Sequence, residues 1–172
     1  MVEAVAELRA STGWRLKLIL AGPVTSDVAL ARMQSAMRRF DPAGSFVEYM
    51  GEVPHADMPA LYASADMAVF ASTCENLPMI VLEKMARGLP IACSEYPAMR
   101  ALLGEDAAWF DPASIASVAE ALRALISDPQ RRAEISQHNR SKAASYDWVR
   151  VTRETFAFLR GRVGCNREGA KA

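Results

Sequence analysis

Two carboxylates, Glu75 and Glu83, sit in the stretch Ser72-Thr73-Cys74-Glu75-Asn76-Leu77-Pro78-Met79-Ile80-Val81-Leu82-Glu83. An apolar run, Met67–Ala71, leads into it, and Leu77–Arg87 reads as a helix stopped by Gly88 and Pro90. Glu75 then lies in a loop beyond a strand, and Glu83 lies about two turns inside the helix that follows. The first-turn N–H groups of such a helix, near Leu77 to Ile80, have no partners within it. They carry the positive end of the helix dipole and suit a diphosphate. A carboxylate accepts hydrogen bonds from vicinal hydroxyls, so two spaced acids suit a sugar at one end and a ribose at the other. Taken in isolation, the pair also fits an ordinary capping residue and an exposed helix residue, because short motifs are weak signals.

The elements that must position this stretch alternate along the chain. A first helix carries Val2, Val5, Ala6 and Leu8 on one face, and Leu16–Ala21 follows as a strand closing on Gly22-Pro23. Ser26 or Asp27 caps a helix bearing Val28, Leu30, Ala31, Met33 and Met37. Ser45–Met50 is a strand ending at Gly51, and Pro59 to Ala65 a short helix. Met67–Ala71 is a continuous apolar strand of the kind buried on both faces. Pro90–Cys93 begins a further strand and Ala107–Phe110 is the last. Ser114 caps a helix with Ile115, Val118, Ala119, Leu122, Leu125 and Ile126 in one stripe, and helices follow around Arg131–Ala144 and Trp148–Arg160. This alternation predicts an α/β domain over residues 1–160, a Rossmann-like parallel sheet flanked by helices, with extra C-terminal helices and a disordered tail at 161–172. In such sheets ligands bind beyond the carboxyl ends of the strands, here at Gly22, Gly51 and Ser72 onward.

Composition bounds the alternatives. With 172 residues and formal net charge zero, the chain has no global charge that would suggest nucleic acid. From Gln130 to Ala172, however, ten Lys or Arg face four Asp or Glu. Such a segment could meet an anionic membrane surface or an acidic partner, or be a solvated helix face. Cys74, Cys93 and Cys165 form no CxxC pair, which suggests reduced thiols and a cytoplasmic setting, with Cys74 packed rather than nucleophilic. Two histidines and scattered cysteines give no metal-ligand spacing, and Asp-x-Asp is absent. No GxGxxG follows the first strand, which argues against a dinucleotide oxidoreductase. His55 could contact a ligand edge, cap the following helix or be solvated; His138, among Gln137, Asn139 and Arg140, reads as surface. Trp148, Phe156 and Phe158 are spaced mostly for core packing.

The stretch Glu75–Glu83 also resembles the Glu-x7-Glu motif of retaining glycosyltransferases built from two facing Rossmann-like domains, the GT-B architecture of glycosyltransferase family 4, also called glycosyl transferases group 1. Its continuation, Glu83-Lys84-Met85-Ala86-Arg87-Gly88-Leu89-Pro90-Ile91, resembles that family's EAMA-x-G-x-P-V run. Upstream, Tyr49–Pro54 followed by Met58–Asp66 resembles its LG-x-V-P … LY-x-x-AD block. Downstream, Leu103–Pro112 resembles its LG-DAA-x-x-FDP turn. These ordered blocks extend the resemblance from about Glu3 to Phe158.

The resemblance implies the C-terminal, donor-binding half of such an enzyme. The donor is a nucleotide-diphosphate sugar, used as substrate, with neither cofactor nor metal. Glu83 would hold the ribose hydroxyls, and Glu75 would be the catalytic residue, a carboxylate facing the transferred sugar and orienting charge in the transition state. The backbone of Asn76, Leu77, Pro78, Met79 and Ile80 would hold sugar and phosphates. Gly51, Glu52 and Val53 would flank the base, and Gly22 would line the mouth of the crevice. Departures are visible: the usual Gly-Phe-Gly is Asn76-Leu77-Pro78, where Pro78 lacks an N–H, and Arg100-Ala101 replaces a second acid. The Arg and Lys that relatives carry just before the first helix are not in this chain. The expectation is an incomplete transferase that needs an N-terminal acceptor domain. The alternatives are a non-catalytic nucleotide-sugar-binding subunit paired with a separate acceptor-domain chain, an epimerase on the same fold, or a truncated reading frame. In relatives the last helix crosses back to the first domain, which would leave its apolar face exposed here. Arg150, Arg153, Arg160 and Arg162 could then touch lipid head groups, placing the protein at the inner face of a membrane.

Overall fold

The computed structural model describes residues 1–75, 78–105 and 107–168, with side chains as far as Gly161. Eight helices and five strands alternate among them: α1 Val2–Thr12, β1 Leu18–Ala21, α2 Asp27–Phe40, β2 Val47–Gly51, α3 Met58–Ala63, β3 Ala68–Phe70, α4 Met79–Ala86, β4 Ile91–Ser94, α5 Pro97–Leu103, β5 Ala108–Phe110, α6 Ile115–Ser127, α7 Pro129–Ala144 and α8 Trp148–Glu168. Every strand pairing is parallel, which requires the helical crossovers that the sequence alternation predicts. The hydrogen-bonded ladders are two: β1 with β2, and β3–β4–β5. They share one core, since Leu18 and Leu20 of β1 pack against the same cluster as Val69, Ala92 and Ala108 of the second ladder.

Burial follows position in the ladder. All four residues of β4 are buried, whereas in β3 only Ala68 is. The apolar run of β3 suggests burial on both faces, but β3 pairs on one side only, and β4, held between two neighbours, takes the central place. Two clusters make up the interior. One joins α1 (Val5, Leu8) to α6 (Val118, Leu122, Leu125), and the other gathers α4 (Val81, Met85), β4 and α5 (Met99, Leu103). Each such side chain is worth about 1.5–3 kcal/mol on burial.

The ends of several elements have local causes. Ser114 caps α6 by accepting from the Ser117 N–H at 3.2 Å, and Asp128 caps α7 by accepting from the Arg131 N–H at 2.8 Å. Ser26 precedes α2 without a side-chain cap, and α2 has no buried residue; only Ala36, Met37 and Phe40 lean on the core, and Val28 is exposed. Helix α5 has no counterpart in the sequence reading, which passes from one strand to the next. Helix α4 starts at Met79, after Pro78, rather than at Leu77. Helix α8 runs past Gly161, where its pattern ends, to Glu168.

Candidate functional site

The strand ends predicted to hold a ligand carry residues with unusual backbone. Gly22 (φ 128°) follows β1 and Gly51 (φ 66°) ends β2, both in the left-handed region that disfavours side chains. The Gly22 N–H donates to the Gly51 carbonyl at 2.8 Å, which ties the two strand ends together. The Tyr49 hydroxyl donates to the Gly22 carbonyl at 3.1 Å and fixes the turn from below. A Cβ at either glycine would meet nothing within 4 Å, so the space above them is open. Beyond them Glu52 is exposed and Val53 half-buried.

The loop after β3 is held from the side by β4. The buried Ser94 hydroxyl donates to the Ser72 carbonyl, fixing where the chain leaves the sheet. Glu75 is half-buried and makes no hydrogen bond or ion pair among the described residues. Asn76 and Leu77 lie outside the described residues. Pro78 is buried and stands as the N-cap of α4, while Met79 and Ile80 are exposed, 42% and 38% respectively. The Val81 N–H bonds the Pro78 carbonyl at 2.9 Å, which leaves the N–H groups of Met79 and Ile80 without a carbonyl inside the helix. Cys74, expected to be packed, is instead exposed, because the loop carries it outward ahead of the buried Pro78.

Glu83 is the most organised of the candidate residues. The Tyr62 hydroxyl donates to its Oε2 at 3.1 Å, and His55 Nε2 lies 3.2 Å from its Oε1. Tyr62 comes from α3 and is buried at 7% exposure, whereas the His55 side chain, beyond β2, is 87% exposed. Burial, then the hydrogen bond and negative charge of Glu83, push the Tyr62 phenol well above its usual range, so it stays a donor. The next residue, Lys84, extends its Nζ to the Val69 carbonyl at 3.4 Å and over the Phe70 ring at 5.2 Å. Burial lowers the Lys84 ammonium to about 8, against the opposing pull of Cys93 and Glu83, so it keeps most of its charge at pH 7. The Cys93 thiol is pushed up to about 11, chiefly by burial, and is inert.

Three parts of the predicted site are thus joined: Gly22 to Gly51 through the backbone, and the segment beyond Gly51–Val53 to Glu83 through His55. Sequence reasoning left His55 among three readings and gave Tyr62 and Ser94 no part. Tyr62 had one signal, its place in the short apolar helix that precedes Asp66. Arg100 contacts Glu95 at 2.6 Å and Glu105 at 3.2 Å and lies over the Trp109 ring at 4.5 Å. Its role here is to pin α5 to β5. Among the described residues no group of His, Cys, Asp and Glu is placed to hold a metal ion, and no helix is long and apolar enough to cross a membrane.

Comparison with known proteins agrees with this architecture. Residues 1–128 match the family model described as Glycosyl transferases group 1. The chain is 26% identical over 157 residues to the O-antigen chain mannosyltransferase B of Escherichia coli, covering 90% of this chain and 40% of that protein. Among solved structures, Alr3699/HepE of Anabaena, in complex with UDP and glucose, superposes with a TM-score of 0.78 at 21% identity, covering 92% of this chain and 43% of that one. The C-terminal domain of a glycosyl transferase group 1 family protein (LpcC) from Francisella tularensis gives 0.72 at 21% identity, covering 84% of this chain and 75% of that domain. The chain therefore spans less than half of the mannosyltransferase and most of an isolated C-terminal domain.

Proposed function

The chain belongs to the glycosyl transferases group 1 family, and from that premise we propose that it is the donor-holding half of a retaining, metal-independent glycosyltransferase. The observation that carries this reading is Glu83, a carboxylate held at both oxygens by Tyr62 and by His55, a residue of the segment that follows the Gly22–Gly51 turn. A ribose diol bonds such an acid, with the base lying along Gly51, Glu52 and Val53. The diphosphate sits at the first-turn N–H groups of Met79 and Ile80, which have no acceptor within α4 and lie where its dipole is positive. Lys84, held behind Glu83 with its charge nearly intact, adds to that field. Glu75, without a side-chain partner among the described residues, faces the transferred sugar, and charge that develops on the departing diphosphate is met by the helix terminus. That the Anabaena structure holds UDP and glucose supports a nucleotide sugar as the ligand class.

Calorimetric titration with UDP, GDP and UDP-glucose tests the reading. Saturable binding of one nucleotide, weakened at least tenfold by Glu83→Ala, is the expected result. A folded chain that binds none of the three sinks it.

A second reading makes the chain a nucleotide-sugar-binding subunit that pairs with a separate acceptor-domain chain. It is favoured by α8, whose apolar residues stand in solvent: Trp148 is 69% exposed and Phe156 57%. Nucleotide binding with no sugar transfer to any hydroxyl acceptor by the chain alone is the outcome that selects it.

A further inference from the structure

A cleft of about 520 Å³ opens at the end of the sheet opposite the glycine turns. Its walls are the segment before β3 (Asp66), the segment between α4 and β4 (Arg87, Gly88) and one face of α7 (Arg132, Ser136, Arg140). The α7 residues recur every fourth position and so lie in one row along the helix. Three guanidinium groups face one carboxylate among these residues, a local excess of positive charge. Arg87 and Arg140 make no ion pair or side-chain hydrogen bond among the described residues, so their donors are available. The cleft is also partly preorganised. Arg132 is fixed by hydrogen bonds of 2.6 Å to each of the Leu125 and Ile126 carbonyls at the end of α6. Arg140 lies across Gly88, so closely that a Cβ there would fall 2.1 Å from its Nε. The buried Asn139 side chain donates to the Leu89 carbonyl at 2.8 Å and locks α7 against the turn. Gly88, at φ 72°, ends α4 in the left-handed region, and the missing side chain is what lets Arg140 approach.

We propose that this cleft is a second ligand site that binds a phosphate group, either free or carried as a monoester on a small polyol. Planar guanidinium groups bond phosphate oxygens in pairs, and the Ser136 hydroxyl adds a donor from the same helix row. The volume accommodates a phosphate with a short polyol attached, which a lone anion would not fill.

Calorimetry on the full chain at fixed ionic strength, with inorganic phosphate and with glycerol phosphate as probes, tests the site. Saturable binding is expected, weakened at least tenfold by Arg87→Gln combined with Arg140→Gln. Both side chains are exposed, so unchanged circular dichroism is expected too. Asp66→Asn removes the repelling carboxylate and is expected to tighten binding about threefold, a gain that loss of fold cannot mimic. Tighter binding of the ester assigns the site to a phosphorylated polyol, and equal binding assigns it to the phosphate group itself. Heats that do not saturate overturn the proposal. So does binding that is unaffected by the cleft substitutions, or that falls as much with Arg150→Gln and Arg153→Gln on α8.

Discussion

At the scale of single residues, the two groups on Glu83 have different standing. Tyr62 is buried and its phenol remains a donor throughout the ordinary pH range, so it is a fixed anchor. His55 reaches Glu83 from solvent and can swing away when a ligand needs that oxygen. A hydrogen bond to a charged acceptor is worth about 1.5–3 kcal/mol, less where water competes. Tyr62→Phe is therefore expected to weaken nucleotide binding about tenfold, whereas His55→Ala should leave it within about twofold. Repeating the titration with a 2′,3′-dideoxy nucleotide checks the cause: with no ribose hydroxyls to hold, the Tyr62→Phe penalty should vanish. A penalty that survives would mean that Tyr62 supports the fold of the site and does not position Glu83. Little of this was legible in the sequence beyond the acid itself: His55 was open to three readings, and neither histidine nor tyrosine was tied to Glu83. Glu75 and Glu83 stand out once their spacing is read with the family-like blocks around them, but Tyr62 is an aromatic on an apolar helix, and periodicity reads such a residue as core. Ser94 is hidden for the same reason, as a small polar residue at the end of a buried strand.

At the scale of elements, alternation of apolar runs and helical stripes located all five strands to within two residues at either end and seven of the eight helices. The helix that escaped, α5, begins at Pro97, the first helical position, where the missing N–H costs nothing. Read as a breaker, the same proline hides the helix it starts, and seven residues give periodicity little to work on. The partition into two ladders was likewise beyond sequence reading, since strand order depends on crossovers. How β2 is entered was also hidden, because one aspartate does the work. Asp41, at the end of α2, accepts from the N–H groups of Ser45, Phe46 and Val47 at 2.7, 2.9 and 2.7 Å, and from the Ser45 hydroxyl at 2.9 Å. Burial alone would raise its carboxyl, but these donors outweigh it and hold the group at about 2, below the 3.8 of a free side chain. A carboxyl depressed on folding contributes stability that is complete above the unfolded value and disappears as pH falls through the folded one. The stability gap between wild type and Asp41→Asn in urea melts should thus be constant above about pH 5 and close between about pH 4 and pH 2. A gap independent of pH over that window would show that the carboxylate charge contributes nothing to the α2–β2 corner.

At the scale of the whole molecule, charge and apolar exposure converge on the C-terminal helix. Every residue from Ala144 to Gly161 is exposed, including Trp148, Val149, Phe156, Phe158 and Leu159. At 100° per residue, Trp148, Val151 and Leu159 share one side of α8 with Phe156 and Phe158 at its borders, while Arg150, Arg153 and Arg160 take the other. A helix of this length with so wide an apolar face does not gain stability from standing in water, because its own hydrogen bonds are only marginally favourable there. The body of the protein, in contrast, has its clusters closed by α1, α4, α5, α6 and Ile135 of α7, without any of the described side chains of α8. Removing the chain from Trp148 onward should therefore lower the melting temperature by less than about 2 °C, since less than about 0.5 kcal/mol of packing is lost for a domain of this size. The shortened chain should also be the more soluble, and should bind nucleotide as the full chain does, because Glu75, Glu83 and the glycine turns lie within the part that remains. The two measurements together decide what α8 is for. An unchanged melt with unchanged nucleotide affinity shows that α8 serves neither the fold nor the donor site, as expected of a surface left for a partner of the donor-holding half. A drop of 5 °C or more would mean that α8 docks on its own domain in solution, and the case for a waiting partner would fall with it.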